Sequence, residues 1–162
     1  MTSSSGPSDA AVLDGAPVLC VSSTGGHFVQ LTRIAAGLGS RHLRYVSTGA
    51  GDASLLGGAP HEVVRDVSRT SRLSILLCAL QLYRIIRRVR PAVVVTTGAA
   101  PGYLALRIAK LLGTRTVWID SVANVEKVSM AGQLARRHSD LFLVQWKHLA
   151  EAGEGRYLGS VL

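Results

Sequence analysis

The chain has 162 residues, room for one domain with one ordinary core rather than two. Apolar residues make up 48%, which excludes a chain too polar to fold. Charged residues are only 17% and lean basic, 18 Lys and Arg against 10 Asp and Glu for a net charge of +8, a balance that favours anionic partners such as nucleic acid, anionic lipid headgroups or phosphorylated substrates.

Residues 1–16 lack the basic start and apolar core of a signal peptide and read as a disordered lead-in. A strand over 17–22 (Val18-Leu19-Cys20-Val21) then feeds the loop Ser22-Ser23-Thr24-Gly25-Gly26-His27. Apolar residues at helical spacing follow (Phe28, Leu31, Ile34, Ala35, Leu38) and predict a helix over 26–38. Strand, small-residue loop and helix in that order aim several backbone N–H groups and a positive helix end at one spot, a geometry that suits a phosphate or another anion. Next come a strand over 43–47, a Gly-rich connection over 48–60 and a strand over 62–66. A long helix over 71–89 leads to a strand over 92–96, and Val93-Val94-Val95 opens a second loop of the same kind, Thr96-Thr97-Gly98-Ala99-Ala100-Pro101-Gly102. A helix over 102–112, a strand over 115–119, a helix over 129–138, a strand over 140–144 and a short helix over 146–152 complete the pattern. Alternation of this kind predicts an α/β fold with one parallel sheet and helices on both faces. Both Gly-rich loops and Asp120 then fall on the carboxyl edge of the sheet, where open α/β sheets bind ligands.

Two familiar phosphate motifs are absent. Gly25-Gly26 has no third glycine at the G-x-G-x-x-G spacing, and Ser47-Thr48-Gly49 stands where a ribose-binding acid would end the second strand. There is no G-x-x-x-x-G-K-[ST] run either. Cys20 and Cys78 sit among apolar neighbours with no C-x-x-C pair and no ligand-spaced His/Cys cluster, so they read as buried thiols and no metal site is expected.

The positive charge is local. Seven arginines (Arg65, Arg69, Arg72, Arg84, Arg87, Arg88, Arg90) face one acid, Asp66, between Arg65 and Arg90, a net of +6. At about 100° per residue, one arc of the 71–89 helix carries Ile75, Ala79, Leu82, Tyr83, Ile85, Ile86 and Val89 toward the sheet. The opposite arc carries Leu73, Leu77 and Leu80, then Arg84, Arg87 and Arg88. Two readings stand: a face covered by the neighbouring helix or a loop, or an interfacial surface of apolar teeth and basic headgroup contacts. Nucleic acid is not expected, because Tyr83 is the one aromatic here and points the other way, which leaves no stacking platform. The longest apolar run in this helix, Ile75 to Leu80, falls far below the roughly 20 residues of a membrane span.

Two residues carry candidate chemistry. His27, at the start of the first helix, could satisfy free N–H ends, bind an anion or serve as a general base. Asp120 ends an apolar strand (Thr116-Val117-Trp118-Ile119) and could bind a sugar hydroxyl, orient a partner or cap the next segment. Trp118 reads as core, whereas Gln145 and Trp146 follow Leu141-Phe142-Leu143-Val144 at the carboxyl edge and suit a lip or interface.

Taken in order, Ser22–His27, Thr96–Gly102, Ile119-Asp120-Ser121-Val122-Ala123-Asn124-Val125-Glu126 and Gln145-Trp146 resemble the oligosaccharide-biosynthesis family of half-glycosyltransferases, over roughly residues 17–162 and including Tyr157-Leu158-Gly159-Ser160-Val161-Leu162. Eukaryotic members recruit a two-chain N-acetylglucosaminyltransferase that extends dolichol-diphosphate GlcNAc, and bacterial PssD-type members serve exopolysaccharide and capsule assembly. The first loop is also similar to the Gly-rich acceptor loop of MurG, which faces a lipid diphosphate. The resemblance implies a Rossmann-like, acceptor-side half of a GT-B glycosyltransferase over 17–162. A carboxyl-half partner would bind the UDP-sugar donor, N-acetylglucosaminyl or glucuronosyl in type, so no cofactor is expected here. Thr24, Gly25 and Gly26 would hold the diphosphate of a polyprenyl-linked acceptor, with Thr97 and Gly98 on the opposite wall. His27 and Asp120 would be the catalytic candidates, and Asn124, Glu126, Gln145 and Trp146 a partner or cleft lip. Leu73, Leu77, Leu80, Arg84, Arg87 and Arg88 would meet an anionic membrane, placing the protein in the cytoplasm, peripheral on the inner face of the plasma membrane. Rival readings are a non-catalytic membrane adaptor and a stand-alone Rossmann-type nucleotide-sugar enzyme.

Overall fold

A computed structural model describes residues 17–39, 42–51, 53–67 and 71–161. The expected lead-in over 1–16 and Arg69 lie outside the described residues. Six strands, β1 (Val18–Ser22), β2 (Leu43–Ser47), β3 (His61–Val63), β4 (Val93–Thr96), β5 (Arg115–Ile119) and β6 (Leu141–Leu143), form one sheet in the order β3-β2-β1-β4-β5-β6. Every pairing is parallel. Parallel strands need crossovers, and four helices supply most of them: α1 (Gly26–Gly37), α2 (Arg72–Val89), α3 (Ala99–Leu111) and α4 (Met130–Ala135), while α5 (Lys147–Glu151) follows β6. Short 3-10 turns over Ala53–Leu56 and Arg136–His138 complete the connections. The expected α/β class and the parallel sheet are both present.

The sheet is buried on both faces, which is why its strands read as unbroken apolar runs rather than alternating ones. Along β1, Val18 and Cys20 pack with Phe28, Leu31 and Ala35 of α1, whereas Leu19 and Val21 pack on the other side with Leu82, Ile86, Ala105 and Leu106 of α2 and α3. Trp118 is fully buried and stacks on Phe142, as a core reading requires. Cys20 and Cys78 are buried too, and burial pushes their thiols up to about 12 and about 11, so neither supplies a thiolate at neutral pH.

Strand order reverses direction between β1 and β4, because β2 and β3 extend one way and β5 and β6 the other. The crevice above such a switch point is the general ligand site of open α/β sheets. The two Gly-rich loops leave β1 and β4 at that place.

Several elements differ from expectation: β3 spans His61–Val63 rather than 62–66, and the helix expected over 129–138 is α-helical only over Met130–Ala135. Helix α3 begins at Ala99 rather than 102. Pro101 lies in its first turn, where the missing N–H would have had no intrahelical partner anyway. Helix α2 is rotated from its expected arc: Ser74, Cys78, Leu82, Ile85 and Ile86 face the core, Ile75 and Ala79 are half-buried, and Tyr83 is exposed. The small residues Ser74 and Cys78 lie on the buried side of the first half of α2, whose close neighbour is α3, and weighting by hydrophobicity overlooks them. Among the described residues no helix is long and apolar enough to cross a membrane.

Candidate functional site

At the switch point the first loop turns on Gly25, whose φ of 81° and ψ of −142° suit glycine alone. Its carbonyl accepts the first intrahelical bond of α1, from Val29 N at 3.1 Å. The N–H groups of Gly26, His27 and Phe28 precede that bond, no side chain caps them, and the first turn contains no acid. Gly25 and Gly26 are exposed, and a Cβ on either would meet nothing within 4 Å. A backbone rich in donors and open to solvent is what an anion needs. Thr24 is exposed beside it, with its N–H on Thr48 Oγ1 at 3.3 Å. The second loop is built alike: Gly98 (φ 123°) stands before α3, again without a side-chain cap or a first-turn acid. Helices α2 and α4, in contrast, are capped by Ser71 and Ser129, which accept from Ser74 N at 3.3 Å and Gly132 N at 2.9 Å.

The loops are latched together by His27 and Thr97. His27 Nδ1 lies 2.9 Å from the Thr97 carbonyl, and the Thr97 hydroxyl donates to the His27 carbonyl at 2.8 Å. A carbonyl can only accept, so Nδ1 carries a proton and the neutral ring is left with a basic Nε2. Nε2 has no hydrogen-bond partner among the described residues. Thr97 and Gly98 do not line an opposite wall as expected: both are buried, Thr97 is spent on the latch, and a Cβ at Gly98 would come within 3.2 Å of His27 Cε1. They back the imidazole instead.

Asp120 is likewise corrected. It is buried, and its carboxylate accepts four hydrogen bonds: from Trp118 Nε1 at 3.1 Å and Ser129 Oγ at 2.6 Å on Oδ1, and from Asn124 Nδ2 at 3.1 Å and Ser129 N at 3.0 Å on Oδ2. A carboxylate so occupied ties residues 121–129 into a fixed loop. Further ties come from Trp146 Nε1, which donates to Val122 O at 2.9 Å, and from His148 Nε2, 2.6 Å from Val125 O. Of the expected lip, Gln145 is buried and accepts from Val161 N at 2.9 Å, so it anchors the final extended segment. Asn124 and Trp146 are half-buried and tied in, and Glu126 alone is exposed.

Sequence reasoning missed two residues at this edge. Gln30, buried on α1, donates from Nε2 to Asp120 O at 3.4 Å and so links the first loop's helix to the Asp120 loop. Ser22, buried at the end of β1, has a hydroxyl without a partner, an exception to the rule that buried polar groups are bonded. A polar residue closing an apolar strand was the available signal for it. On α2, Arg84 and Arg87 are exposed as expected, but Arg88 is paired with Glu62, Leu77 is only half-buried, and Leu76 joins Leu73 and Leu80 on the surface.

The family model described as "Oligosaccharide biosynthesis protein Alg14 like" matches residues 61–161. A curated relative, the UDP-N-acetylglucosamine transferase subunit ALG14 of Eremothecium gossypii, is 33% identical over 102 residues, 55% of this chain and 46% of the relative. The chain thus spans about half the length of that relative. Among solved structures, MurG of Acinetobacter baumannii superposes with a TM-score of 0.69 at 14% identity, over 90% of this chain and 45% of that one. The UDP-GlcNAc 2-epimerase of Methanocaldococcus jannaschii does so with 0.65 at 12%, over 89% and 45%. At these identities the likeness speaks for the fold, that of the amino-terminal half of a GT-B enzyme.

Proposed function

We propose that this chain, which belongs to the Alg14-like family of oligosaccharide-biosynthesis proteins, is the acceptor-side subunit of an inverting, UDP-sugar-dependent glycosyltransferase. The observation that carries the reading is the junction at the switch point: open, uncapped N–H donors of α1 beside a histidine whose Nδ1 is held by Thr97. A diphosphate would sit against Gly25, Gly26 and the positive end of α1, and its charge would be met without a metal. The acceptor would be a polyprenyl-diphosphate-linked glycan, which places the reaction at the inner face of a membrane. The donor, a UDP-sugar of N-acetylglucosaminyl or glucuronosyl type, would be held mainly by a separate carboxyl-half subunit, so this chain would need no cofactor of its own. The curated relative is itself a transferase subunit, which supports a two-chain enzyme.

In that arrangement the acceptor hydroxyl attacks the anomeric carbon of the donor. The new glycosidic bond forms as the bond to UDP breaks, with inversion, and the hydroxyl proton passes to His27 Nε2. Thr97 acts through His27, holding the tautomer that leaves Nε2 free to accept.

The test is reconstitution. Purified alone, the chain should show negligible transfer, and addition of its cognate partner should restore turnover. Robust transfer by the chain alone would overturn the two-chain reading. Full transfer by the partner alone, tethered to vesicles, would reduce this chain to an adaptor.

A further inference from the structure

Right-handed crossovers that step the same way along a parallel sheet lie on the same face of it. The steps from β1 to β2 and from β2 to β3 are two such crossovers, and among the described residues only the first has an α-helix, α1. The connection over 48–60 has the 3-10 turn Ala53–Leu56 instead, which is about 8 Å long against about 18 Å for α1. That face is left partly open: Val63 of β3 is 53% exposed, and a cleft of about 450 Å³ lies over β2. Leu43 and Tyr45 form its floor, Thr32 and Ala36 of α1 one wall, and residues 55–60 the other. Sites for small molecules have this size, about 300–1,000 Å³. None of the lining residues carries a charge. Thr32 spends its hydroxyl proton on Val29 O at 2.9 Å. Tyr45 is 3% exposed, and Phe28 holds its ring edge-on with centroids 6.3 Å apart. Its hydroxyl has no hydrogen-bond partner among the described residues, whereas a buried tyrosine ordinarily finds one. Unlike Ser22 Oγ, which is sealed in, this hydroxyl meets the cleft. Burial pushes the phenol up to about 12, so at neutral pH it presents a proton to donate.

We propose that this cleft is a second binding site, for a small uncharged amphiphile whose aliphatic body lies against Ala36, Leu43 and Leu56 and whose one hydroxyl, ester or amide oxygen accepts from Tyr45. The lining selects that class. An anion would find no cation there, and a free sugar would find one unspent side-chain hydroxyl for its several own. A wholly apolar molecule would leave the phenol unpaired. The site is separate from the one proposed for transfer. Gly51 lies so close to the Phe28 ring that a Cβ there would come within 2.8 Å of Phe28 Cε1, and this contact stands between the cleft and the Gly25–Gly26 loop. The inference therefore does not rest on the glycosyltransferase reading.

The experiment is titration of the full chain with n-octanol, followed in amide NMR spectra, with octanoate at neutral pH as the charged counterpart. Wild type should bind n-octanol saturably, with shifts centred on residues 32–36, 43–45 and 55–60. Octanoate should bind about 10-fold more weakly or worse, because its charge would enter a cleft without a cation. Tyr45→Phe keeps the ring and should weaken n-octanol about 5-fold, the value of one hydrogen bond. Ala36→Phe fills the cleft from an exposed helical position and should weaken n-octanol about 10-fold or more. It removes no core contact, so it should melt with wild type and carries the test even where Tyr45→Phe is destabilised. Failure of wild type to bind, octanoate bound as tightly as n-octanol, or an Ala36→Phe variant that binds like wild type would each overturn the proposal. So would shifts centred on Gly25–His27 or on the exposed leucines of α2, which would put the ligand on another surface. A folded Tyr45→Phe variant with unchanged affinity would overturn the role given to the hydroxyl.

Discussion

Two loops leave the carboxyl edge of this sheet, and they spend their polar groups in opposite ways. Ser22–His27 is exposed at Thr24, Gly25 and Gly26, and its helix begins without a cap. Residues 120–129 are closed around a buried carboxylate that accepts from three side chains and one backbone N–H. Polarity in a sequence is therefore no measure of availability. The plain glycines hold the unspent donors, and the conspicuous acid has none of its capacity left over.

The largest effect that tests this contrast is on stability. Asp120→Ala strands Trp118 Nε1 in the core and leaves Asn124 Nδ2 and both Ser129 donors unpaired in a partly buried place, so unfolding in urea should show a loss of about 2–4 kcal/mol. A loss under about 1 kcal/mol would mean the carboxylate is not holding the loop. His27 is the opposite case, with a large effect on rate and little on folding. His27→Ala should lower transfer by the reconstituted enzyme about 100-fold or more while leaving the fold intact. His27→Gln separates the roles, since an amide can still donate to the Thr97 carbonyl but cannot carry a proton. Near-normal turnover in the Gln variant would remove the general base and leave only a binding role.

The sequence made the architecture legible because β-branched runs and Gly-rich loops alternate with helical spacing over nearly the whole chain. The site was legible in part. Gly25, Gly26 and His27 stand where a strand–loop–helix pattern puts them, because that geometry is local. Asp120, Thr97 and Gln145 were misplaced because their partners lie at a distance that no pattern encodes. Thr97 meets a histidine 70 residues away, Gln145 meets Val161, and Asp120 is closed off by a loop that folds back to Ser129. Tyr83 was misplaced for another reason. Hydrophobic weighting centres the buried arc of α2 on its large residues, whereas the small residues Ser74 and Cys78 belong to the buried side that packs beside α3.

The smallest effect concerns a second carboxylate, Asp140, which provides the control for Asp120. It lies before β6, is about two-fifths exposed, pairs with Lys110 and accepts from Thr116 N at 2.9 Å. The hydrogen bond from Lys110, and after it those from Thr116, hold its carboxyl below the ordinary range against an opposing effect of burial. A carboxylate whose folded pKa is depressed stabilises the protein fully above its unfolded pKa, near 4, and that contribution fades as pH falls through the lower folded value. Asp140→Asn should therefore cost little at pH 7, under about 1 kcal/mol because solvent screens both partners, and the difference from wild type should close below about pH 4. Urea midpoints of the two proteins between pH 7 and pH 3 measure it. A difference that stays constant through that range would show that Asp140 acts by shape, accepting from Thr116, rather than by charge. A difference as large as that of Asp120→Ala would erase the distinction between a carboxylate that organises a loop from inside and one that decorates a surface.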